Sequence, residues 1–149
     1  MNIPQVNYAG TIIVNENYQV LFVFSDGIWE FPHGFMRAGE SKKQAALRVA
    51  VEHTNIDPAN IRILKELPPV WEMEGEAIKS TTLYICEYES NPDYKLRANF
   101  EDNGVFESKW FFMSQMPAFA SNIAHKYIIN FIAKLFSRTS ILYRSTPKS

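Results

Sequence analysis

The feature of this chain that most constrains its fold is the stretch of residues 34–56, in which a glycine-containing loop leads directly into a helix. Ser41 and Gln44 have the spacing of a capping box, in which each side chain bonds to the backbone N–H of the other residue. Alanines and a leucine then favour helix as far as about His53, and Asn55 suits the left-handed position that follows a helix. The sequence therefore predicts one loop-helix unit with defined ends.

Runs rich in β-branched and aromatic residues surround this unit and predict strands. Residues 8–14 and 18–24 are separated by a short asparagine-rich segment, which predicts a hairpin. Pro32 and Gly34 exclude a long strand between that hairpin and the helix. Further strands are predicted at residues 61–67, 81–89 and 107–113, and the segment between the first two of these is predicted to be a loop or a flaring hairpin.

Apolar residues recur at a helical spacing in residues 119–136, which predicts an amphipathic C-terminal helix. The length of 149 residues suits a single domain, which we predict to comprise residues 1–138, followed by a loosely held tail at 139–149. Strand and helix segments are interspersed along the chain. The expected architecture is therefore layered, of the α/β or α+β class.

The charged residues nearly balance, with 15 Lys and Arg against 16 Asp and Glu. This balance excludes the strongly basic surface of a dedicated duplex nucleic-acid-binding protein. No apolar run approaches the roughly 18 residues of a membrane-spanning helix, and the N-terminus lacks the pattern of a signal peptide. A cytoplasmic protein is therefore expected, and the single Cys86, within an apolar run, is expected to be buried and inert.

Residues 34–56 resemble the Nudix box, a family motif that reads Gly, five residues, Glu, seven residues and then Arg-Glu-U-x-Glu-Glu-x-Gly-U, with U a bulky apolar residue. The residues that match in register are Gly34, Glu40, Arg48, Glu52 and Ile56. The preceding "GIWEFPHGF" resembles the lead-in of Nudix proteins, including the diadenosine-polyphosphate hydrolase branch, and "FESKWFFMSQMP" resembles the late Nudix strand. The resemblance implies an α/β fold, a Nudix-type α/β/α sandwich with a mixed β-sheet between helices.

Three motif positions depart from the family pattern. Val49 and His53 stand where the box has glutamates, and Asn55 stands in place of its glycine. Asparagine is the best substitute for glycine in left-handed backbone, so the helix end is expected to survive the change. The losses that alter chemistry therefore fall on the helix face formed by positions 49, 52 and 53, which span about 100 degrees of arc.

Carboxylates on this face would gather divalent cations against a diphosphate, so the resemblance implies Mg²⁺ or Mn²⁺ as cofactor. Glu52 is the predicted metal ligand and catalytic residue. His53 is a second candidate ligand that suits manganese better than magnesium, and a solvated histidine at a helix end is the alternative. The resemblance also makes Glu107 a candidate catalytic and metal-binding carboxylate, with plain surface charge as the alternative there and at Glu101 and Asp102.

Further residues are assigned to structure or to substrate. The resemblance implies that Glu40 and Arg48 form a structural pair. Arg37, in the loop, is predicted to contact phosphate oxygens through its guanidinium, although surface charge explains it equally well. Trp71 and Tyr84 are candidates to stack on a nucleobase, a contact worth about 1 to 3 kcal/mol, with core packing as the alternative for Tyr84.

Three alternating glutamates, Glu72, Glu74 and Glu76, would share one face of an extended segment. That face is expected to be solvated, with a supplementary metal site as the alternative. The glycine that opens the box, Gly34, is expected to let backbone approach the phosphates closely.

Two functional hypotheses follow from these residues. The first is a metal-dependent Nudix-type hydrolase that cleaves a phosphoanhydride bond in a nucleoside diphosphate linked to another moiety, such as a dinucleoside polyphosphate. The alternative is a catalytically impaired Nudix-fold module that binds a nucleotide or RNA. In both, the expected partner is a small nucleotide or RNA, and the sequence leaves the oligomeric state open.

Overall fold

The computed structural model describes residues 3–25, 27–96 and 105–112 of the chain. These residues form a mixed β-sheet, one α-helix and a short 3-10 helix at Pro58–Asn60. The helix α1 spans Lys42–Thr54. The strands are β1 (Gln5–Asn15), β2 (Gln19–Ser25), β3 (Ile28–Glu30), β4 (His33–Phe35), β5 (Ile61–Glu66), β6 (Val70–Glu74), β7 (Ala77–Tyr88) and β8 (Val105–Phe112).

Strand β1 is the centre of the sheet. On one side it pairs in parallel with β7 along its whole length, from Gln5 opposite Ile78 to Asn15 opposite Tyr88. On the other side it pairs antiparallel with β4 through residues 8–10 and with β2 near the hairpin turn. Strands β3 and β8 extend the sheet beyond β2, and β5 and β6 extend it beyond β7. The sheet is therefore mixed, as expected.

The predicted hairpin is confirmed as β1 and β2. The side chain of Asn15 holds its turn, because Oδ1 accepts hydrogen bonds of 3.0 Å from the backbone N–H groups of Asn17 and Gln19. Tyr18 adopts a positive φ of 58° within the turn. The Asn15 side chain therefore accepts hydrogen bonds that a backbone carbonyl would otherwise accept, as is usual for Asx turns.

The loop before α1 contains only two three-residue strands, β3 and β4, in agreement with the exclusion of a long strand. Strand β4 lies very close to β1 at Gly10. A Cβ on Gly10 would lie 2.4 Å from the carbonyl oxygen of Pro32, and the same oxygen accepts a 3.0 Å hydrogen bond from the N–H of Thr11. Only glycine permits this approach, which places the start of the Nudix-like loop against the central strand.

The predicted ends of α1 are confirmed. Ser41 Oγ accepts from the N–H of Gln44 at 3.1 Å, and Gln44 Oε1 accepts from the N–H of Ser41 at 2.9 Å, which completes the capping box. Asn55 follows the helix in left-handed conformation with φ of 62°. Small side chains, Ala45, Ala46 and Ala50, face the sheet and are buried. They let the helix axis approach the sheet closely.

The core lies on both faces of the sheet. The cluster on the α1 face consists of Ala9, Ile13, Leu21, Ala45, Ala46, Ala50, Ile56, Tyr84, Cys86 and Tyr88. The cluster on the opposite face consists of Ile12, Val14, Val20, Phe22, Phe31, Leu67, Leu83, Ile85 and Phe111. Cys86 is buried as predicted, and burial raises the pKa of its thiol to about 12. A mixed sheet with a helix on one face gives the predicted α/β sandwich.

The remaining predictions about elements have mixed outcomes. Residues 70–88 form a hairpin, β6 and β7, that turns at Gly75 with φ of 61°. Glu72 and Glu74 share a face of β6, whereas Glu76 lies in the turn and not in the extended segment. The predicted helix at residues 119–136 and the predicted tail at 139–149 lie outside the described residues. Within the described part of the chain, no helix has the length and apolar character needed to cross a membrane.

Candidate functional site

A cavity with a volume of about 600 Å³ lies between the loop of residues 34–40, helix α1 and the N-terminal half of β1. The loop and α1 contribute Arg37, Val49, Glu52 and His53 to its lining, and the strands contribute Lys79 from β7 with its neighbours on β1 and β4. The cavity therefore contains side chains from the Nudix-like helix together with side chains from strands that are distant in sequence.

Arg48 fixes the shape of the loop. Its guanidinium donates to both carboxylate oxygens of Glu40, from Nε at 2.6 Å and from Nη2 at 2.9 Å, and Nη2 also donates to the carbonyl of Phe35 at 2.8 Å. The backbone N–H of Arg37 donates to Glu40 Oε1 at 2.8 Å. These hydrogen bonds, led by those from Arg48, lower the pKa of Glu40 to about 2. Both residues therefore hold the loop against the helix.

Glu52 lies between two arginines. Oε1 accepts from Nη1 of Arg48 at 2.7 Å, and Oε2 accepts from Nη2 of Arg37 at 3.2 Å. Partial burial disfavours the charged carboxylate, but the hydrogen bond from Arg48 and the charges of both arginines outweigh it, so the pKa of Glu52 is lowered. Glu52 is therefore an ionised carboxylate whose two oxygens already have cationic partners.

Val49 fills the space between α1 and β4. Its side chain is buried, and a Cβ on Gly34 would lie 3.1 Å from Val49 Cγ2. Gly34 therefore lets β4 pack directly on the helix at the position where the family motif has a glutamate. His53, half-buried, lies on the same side of the helix and also lines the cavity.

The described residues do not fit a conventional divalent-cation site. Among residues 3–25, 27–96 and 105–112, no three His, Cys, Asp or Glu side chains lie together as a metal-binding group. Val49 offers no donor, and the oxygens of Glu40 are bonded to Arg48 and to the backbone of Arg37. Glu52 with His53 beside it supplies fewer donors than the six or so oxygens that magnesium prefers.

The lining that the strands contribute is organised around Lys79. His33 Nδ1 lies 2.9 Å from the carbonyl oxygen of Phe31, and because a carbonyl can only accept, Nδ1 carries the proton. Nε2 of His33 then accepts from the Lys79 ammonium at 3.2 Å. Lys79 Nζ also lies 4.3 Å from the centre of the Tyr8 ring, within the range of a cation–π contact. The cavity thus has a held cation from the strands in addition to the arginines of the loop and α1.

Sequence reasoning did not identify Lys79, His33, Tyr8 or Phe35 as site residues. Lys79 and Tyr8 are brought near each other by the parallel pairing of β1 with β7, in which Tyr8 lies opposite Thr81. No local spacing reveals a pairing between strands about 70 residues apart. The "FPHG" segment was the available signal for His33, since it precedes the motif directly.

The two aromatic residues predicted to stack on a nucleobase lie elsewhere. Tyr84 is 2% exposed, and its hydroxyl donates to Glu66 at 2.7 Å, so its ring belongs to the core on the α1 face. Burial and this carboxylate raise the pKa of Tyr84 to about 12. Trp71 is 55% exposed on β6 but is not among the residues that line the cavity. Core packing, the alternative considered for Tyr84, accounts for it.

Glu107 lies on a different side of the sheet from Glu52. It pairs with Phe24, whose ring contacts Trp29 at 5.2 Å on the face opposite α1. Residues directly opposite one another in paired strands project to the same face. Glu107 is exposed there and does not line the cavity. Glu101 and Asp102 lie outside the described residues.

Comparison with known proteins agrees with this geometry. A model of the NUDIX domain matches residues 4–131. An RNA pyrophosphohydrolase of Psychromonas ingrahamii is 37% identical over 58 residues, which cover 38% of this chain and 32% of the relative. The match therefore spans about a third of that relative's length. An RNA pyrophosphohydrolase of Shewanella denitrificans is 21% identical over 154 residues, covering 91% of this chain and 87% of the relative.

Solved structures share the fold. A C. elegans Ap4A hydrolase in a binary complex superposes with a TM-score of 0.78 and 18% identity, covering 90% of this chain and 99% of that chain. At this identity the similarity concerns the fold alone.

Proposed function

Because this chain belongs to the Nudix family, whose domain model spans residues 4–131, we propose that it binds the diphosphate of a nucleotide in the cavity beside α1 and hydrolyses a phosphoanhydride bond there. The observation that carries this proposal is that Arg37 and Lys79 line one cavity that also contains Glu52. Two cations in one cavity suit a ligand with two linked negative groups.

The chain's own residues have distinct roles in this proposal. Arg37 and Lys79 bind phosphate oxygens, and His33 orients the Lys79 ammonium through its unprotonated Nε2. Arg48 acts through Glu40 and positions the loop. Glu52, with its lowered pKa, is ionised at neutral pH, and its Oε2 loses its partner when Arg37 turns to the phosphate. We assign to this oxygen the acceptance of a proton from the water that attacks phosphorus, while the bridging P–O bond breaks and its oxygen leaves with the departing phosphate group. No step is assigned to Glu107, which does not line the cavity.

Hydrolases of the Nudix family generally use divalent metal ions. Such an ion would neutralise the charge that develops on the phosphoryl oxygens. We propose Mg²⁺ or Mn²⁺ as the ion, with Glu52 and His53 as its nearest donors, and the described residues alone do not complete its coordination. No step above depends on it.

The names of the relatives and the lining of the cavity together support one substrate class. Proteins that resemble this chain are called RNA pyrophosphohydrolases and, among structures, an Ap4A hydrolase. The substrates in these names share one chemical feature, which is a nucleoside joined to a chain of phosphates. We therefore propose a nucleoside diphosphate linked to another moiety, with a dinucleoside polyphosphate as the first example, and a cytoplasmic location for the reaction.

A specific observation favours a second candidate function, that of a binding module for a nucleotide or RNA without turnover. Both oxygens of Glu52 are occupied by arginines, and Val49 replaces a glutamate of the motif with a buried apolar side chain. A site of this kind retains cations for phosphate but has lost carboxylates that would hold metal. Binding without hydrolysis is its expected behaviour.

The test is product release from diadenosine tetraphosphate, nucleoside triphosphates, ADP-ribose, nucleotide sugars and 5′-triphosphorylated RNA. Each substrate is incubated with Mg²⁺, with Mn²⁺ or with a chelator. The variant is Glu52→Gln, and the matched control is Glu89→Gln, the same change on an exposed carboxylate just after β7.

Three outcomes separate the candidates. Turnover that is lost in Glu52→Gln and retained in Glu89→Gln supports the hydrolase. Nucleotide binding without product under any metal condition supports the binding module. A folded protein that neither binds nor cleaves any of these compounds overturns both.

A further inference from the structure

An exposed aromatic ring lines the cavity. Phe35, the last residue of β4, is 60% exposed although it belongs to the strand that packs on α1. Phe35 directly follows the first glycine of the motif and lies two residues before Arg37. More than half of this apolar side chain is therefore accessible to a ligand in a cavity that also contains cations.

The ring of Phe35 is supported from one side. It lies 4.4 Å from the ring centre of Tyr8, with 32° between the planes, and Tyr8 is its direct partner in the pairing of β1 with β4. Tyr8 is itself buried and its hydroxyl donates to Glu74 at 3.3 Å. Phe35 therefore rests on a fixed aromatic neighbour, and the rest of its surface is open to the cavity.

The backbone at Phe35 is held on both sides. Its carbonyl accepts a 2.8 Å hydrogen bond from Nη2 of Arg48, and the N–H of the next residue, Met36, donates to the carbonyl of Asn7. A ring whose backbone is already positioned loses little conformational entropy when a ligand contacts it. This is the property expected of a preformed stacking surface.

Charge next to the ring defines what kind of molecule fits. Arg37 lines the same cavity as Phe35, and Lys79 Nζ lies 4.3 Å from the centre of the Tyr8 ring on which Phe35 rests. A ligand that combines a flat aromatic group with phosphates would stack on the ring while its phosphates meet the cations. We infer that Phe35 is the stacking surface for the nucleobase of a bound nucleotide, an inference that rests on the proposed binding of nucleotides in this cavity.

The competing surface is Trp71. It is 55% exposed and larger than Phe35, but it lies on β6 and does not line the cavity that contains Arg37 and Lys79. Stacking on Trp71 would separate the base from those cations. Removing the ring of Phe35 should therefore weaken nucleotide binding, and removing the ring of Trp71 should not.

The experiment is calorimetric titration with ADP and with inorganic pyrophosphate, in the presence of a chelator so that binding is measured without turnover. Phe35→Leu keeps the apolar volume but removes the aromatic face, and Trp71→Leu is the matched control. We expect Phe35→Leu to weaken ADP binding about 5-fold to 100-fold and to leave pyrophosphate binding within about 2-fold, since base stacking contributes about 1 to 3 kcal/mol. Trp71→Leu should change neither.

A second variant keeps the inference testable if Phe35→Leu lowers the melting temperature. Phe35→Trp retains an aromatic face and adds an indole whose fluorescence is quenched by a stacked base. ADP should quench the additional emission of this variant, measured against the wild-type protein, and pyrophosphate should not.

Any one of four results would overturn the inference. The first two are unchanged ADP affinity in Phe35→Leu and an equal loss of ADP and pyrophosphate binding in that variant. The other two are loss of ADP binding in Trp71→Leu instead and a wild-type protein that does not bind ADP. Failure of the hydrolase proposal is distinguishable, because it shows as absent product while the base-specific effect of Phe35→Leu persists. Failure of this inference alone shows as intact hydrolysis with no such effect.

Discussion

Two arginines contact the same carboxylate, but they are held in different ways. Arg48 is 20% exposed and has further bonds to Glu40 and to the backbone of Phe35. Arg37 is 63% exposed and its guanidinium contacts Glu52 at 3.2 Å. Exposed ion pairs contribute about 0 to 1 kcal/mol, so a phosphate can take Arg37 from Glu52 at little cost. We therefore propose that Arg48 serves the fold and that Arg37 contacts the ligand.

Because the two arginines are held differently, replacing each by glutamine should affect a different property, ligand binding for Arg37 and stability for Arg48. Arg37→Gln should weaken pyrophosphate binding by about 1 to 3 kcal/mol while changing the free energy of unfolding by less than about 0.5 kcal/mol. Arg48→Gln should destabilise the fold by about 1 to 3 kcal/mol, because Glu40 loses its charged partner. Calorimetric titration and urea unfolding measure the two effects. Equal destabilisation by both changes would contradict the assignment.

The lowered pKa of Glu40 predicts a dependence of stability on pH. Its folded value of about 2 lies below the ordinary 4.5, so the stabilisation is fully present above about 4.5 and is lost as the pH falls towards 2. The pKa of Glu52 is lowered as well and acts in the same direction. Urea unfolding between pH 7 and pH 3 should show a shallower loss of stability in Glu40→Gln than in the wild-type protein. Parallel curves for the two proteins would refute this.

At the scale of the element, a capping side chain defines the start of helix α1, and a left-handed backbone conformation defines its end. Ser41 caps its start, and Asn55 ends it in left-handed conformation. The loop before it depends on a glycine in another strand, Gly10, where β4 approaches β1. The helix face that carries Glu52 is therefore positioned by residues that do not line the cavity.

The cap gives a measurable prediction. Ser41→Ala should lower the free energy of unfolding by about 1 kcal/mol, because the N–H of Gln44 loses its acceptor. Asn55→Gly should be neutral or slightly stabilising, since glycine adopts left-handed backbone without strain, and Asn55→Ala should destabilise by about 1 kcal/mol. Urea unfolding measures all three. An Asn55→Ala protein as stable as Asn55→Gly would refute the role of the left-handed residue.

The close approach of β4 to β1 gives a further prediction about stability. Gly10→Ala should destabilise the protein by several kcal/mol, since its Cβ would lie 2.4 Å from a backbone oxygen. Gly39→Ala is the matched control, because Gly39 has φ of 83° but its Cβ would contact nothing within 4 Å. Gly39→Ala should cost only about 1 kcal/mol of backbone strain. The prediction fails if the two variants unfold at the same urea concentration.

At the scale of the whole molecule, the balance of charge is repeated inside the cavity. The chain has a net charge of −1, and Arg37, Arg48 and Lys79 line one cavity together with Glu30, Glu52 and Glu74. Overall charge therefore does not attract an anionic ligand over long distances, and recognition depends on contacts made within the cavity. The ligand should stabilise the folded chain as a whole, because those contacts exist only in the native arrangement.

Ligand binding should therefore raise the melting temperature. At a concentration 100 times its Kd, a nucleotide stabilises the folded state by about 2.7 kcal/mol, which corresponds to an increase of about 5 to 10 °C for a chain of this size. Differential scanning fluorimetry with ADP measures the shift. Arg37→Gln should reduce it at the same ADP concentration, and Ser41→Ala should lower the melting temperature without reducing the shift. A shift of equal size in Arg37→Gln would count against the cavity as the binding site.

Short-range patterns in the sequence predicted the features that depend on neighbouring residues. The hairpin of residues 8–24, the ends of α1 and the burial of Cys86 were all predicted, because turns, caps and apolar runs act over a few residues. The Nudix motif likewise lies in one continuous stretch. Such patterns can be recognised without knowing which distant residues they contact in the folded protein.

Tertiary structure alone decided what the motif residues contact. It placed Val49 against Gly34, and it placed Arg37 on Glu52, which is 15 positions along the chain. The parallel pairing of β1 with β7 brought Lys79 to the cavity. Strand register sent Glu107 to the opposite face. These outcomes depend on pairing between distant strands, where a shift of one residue reverses the face of every side chain, and no local pattern encodes that choice.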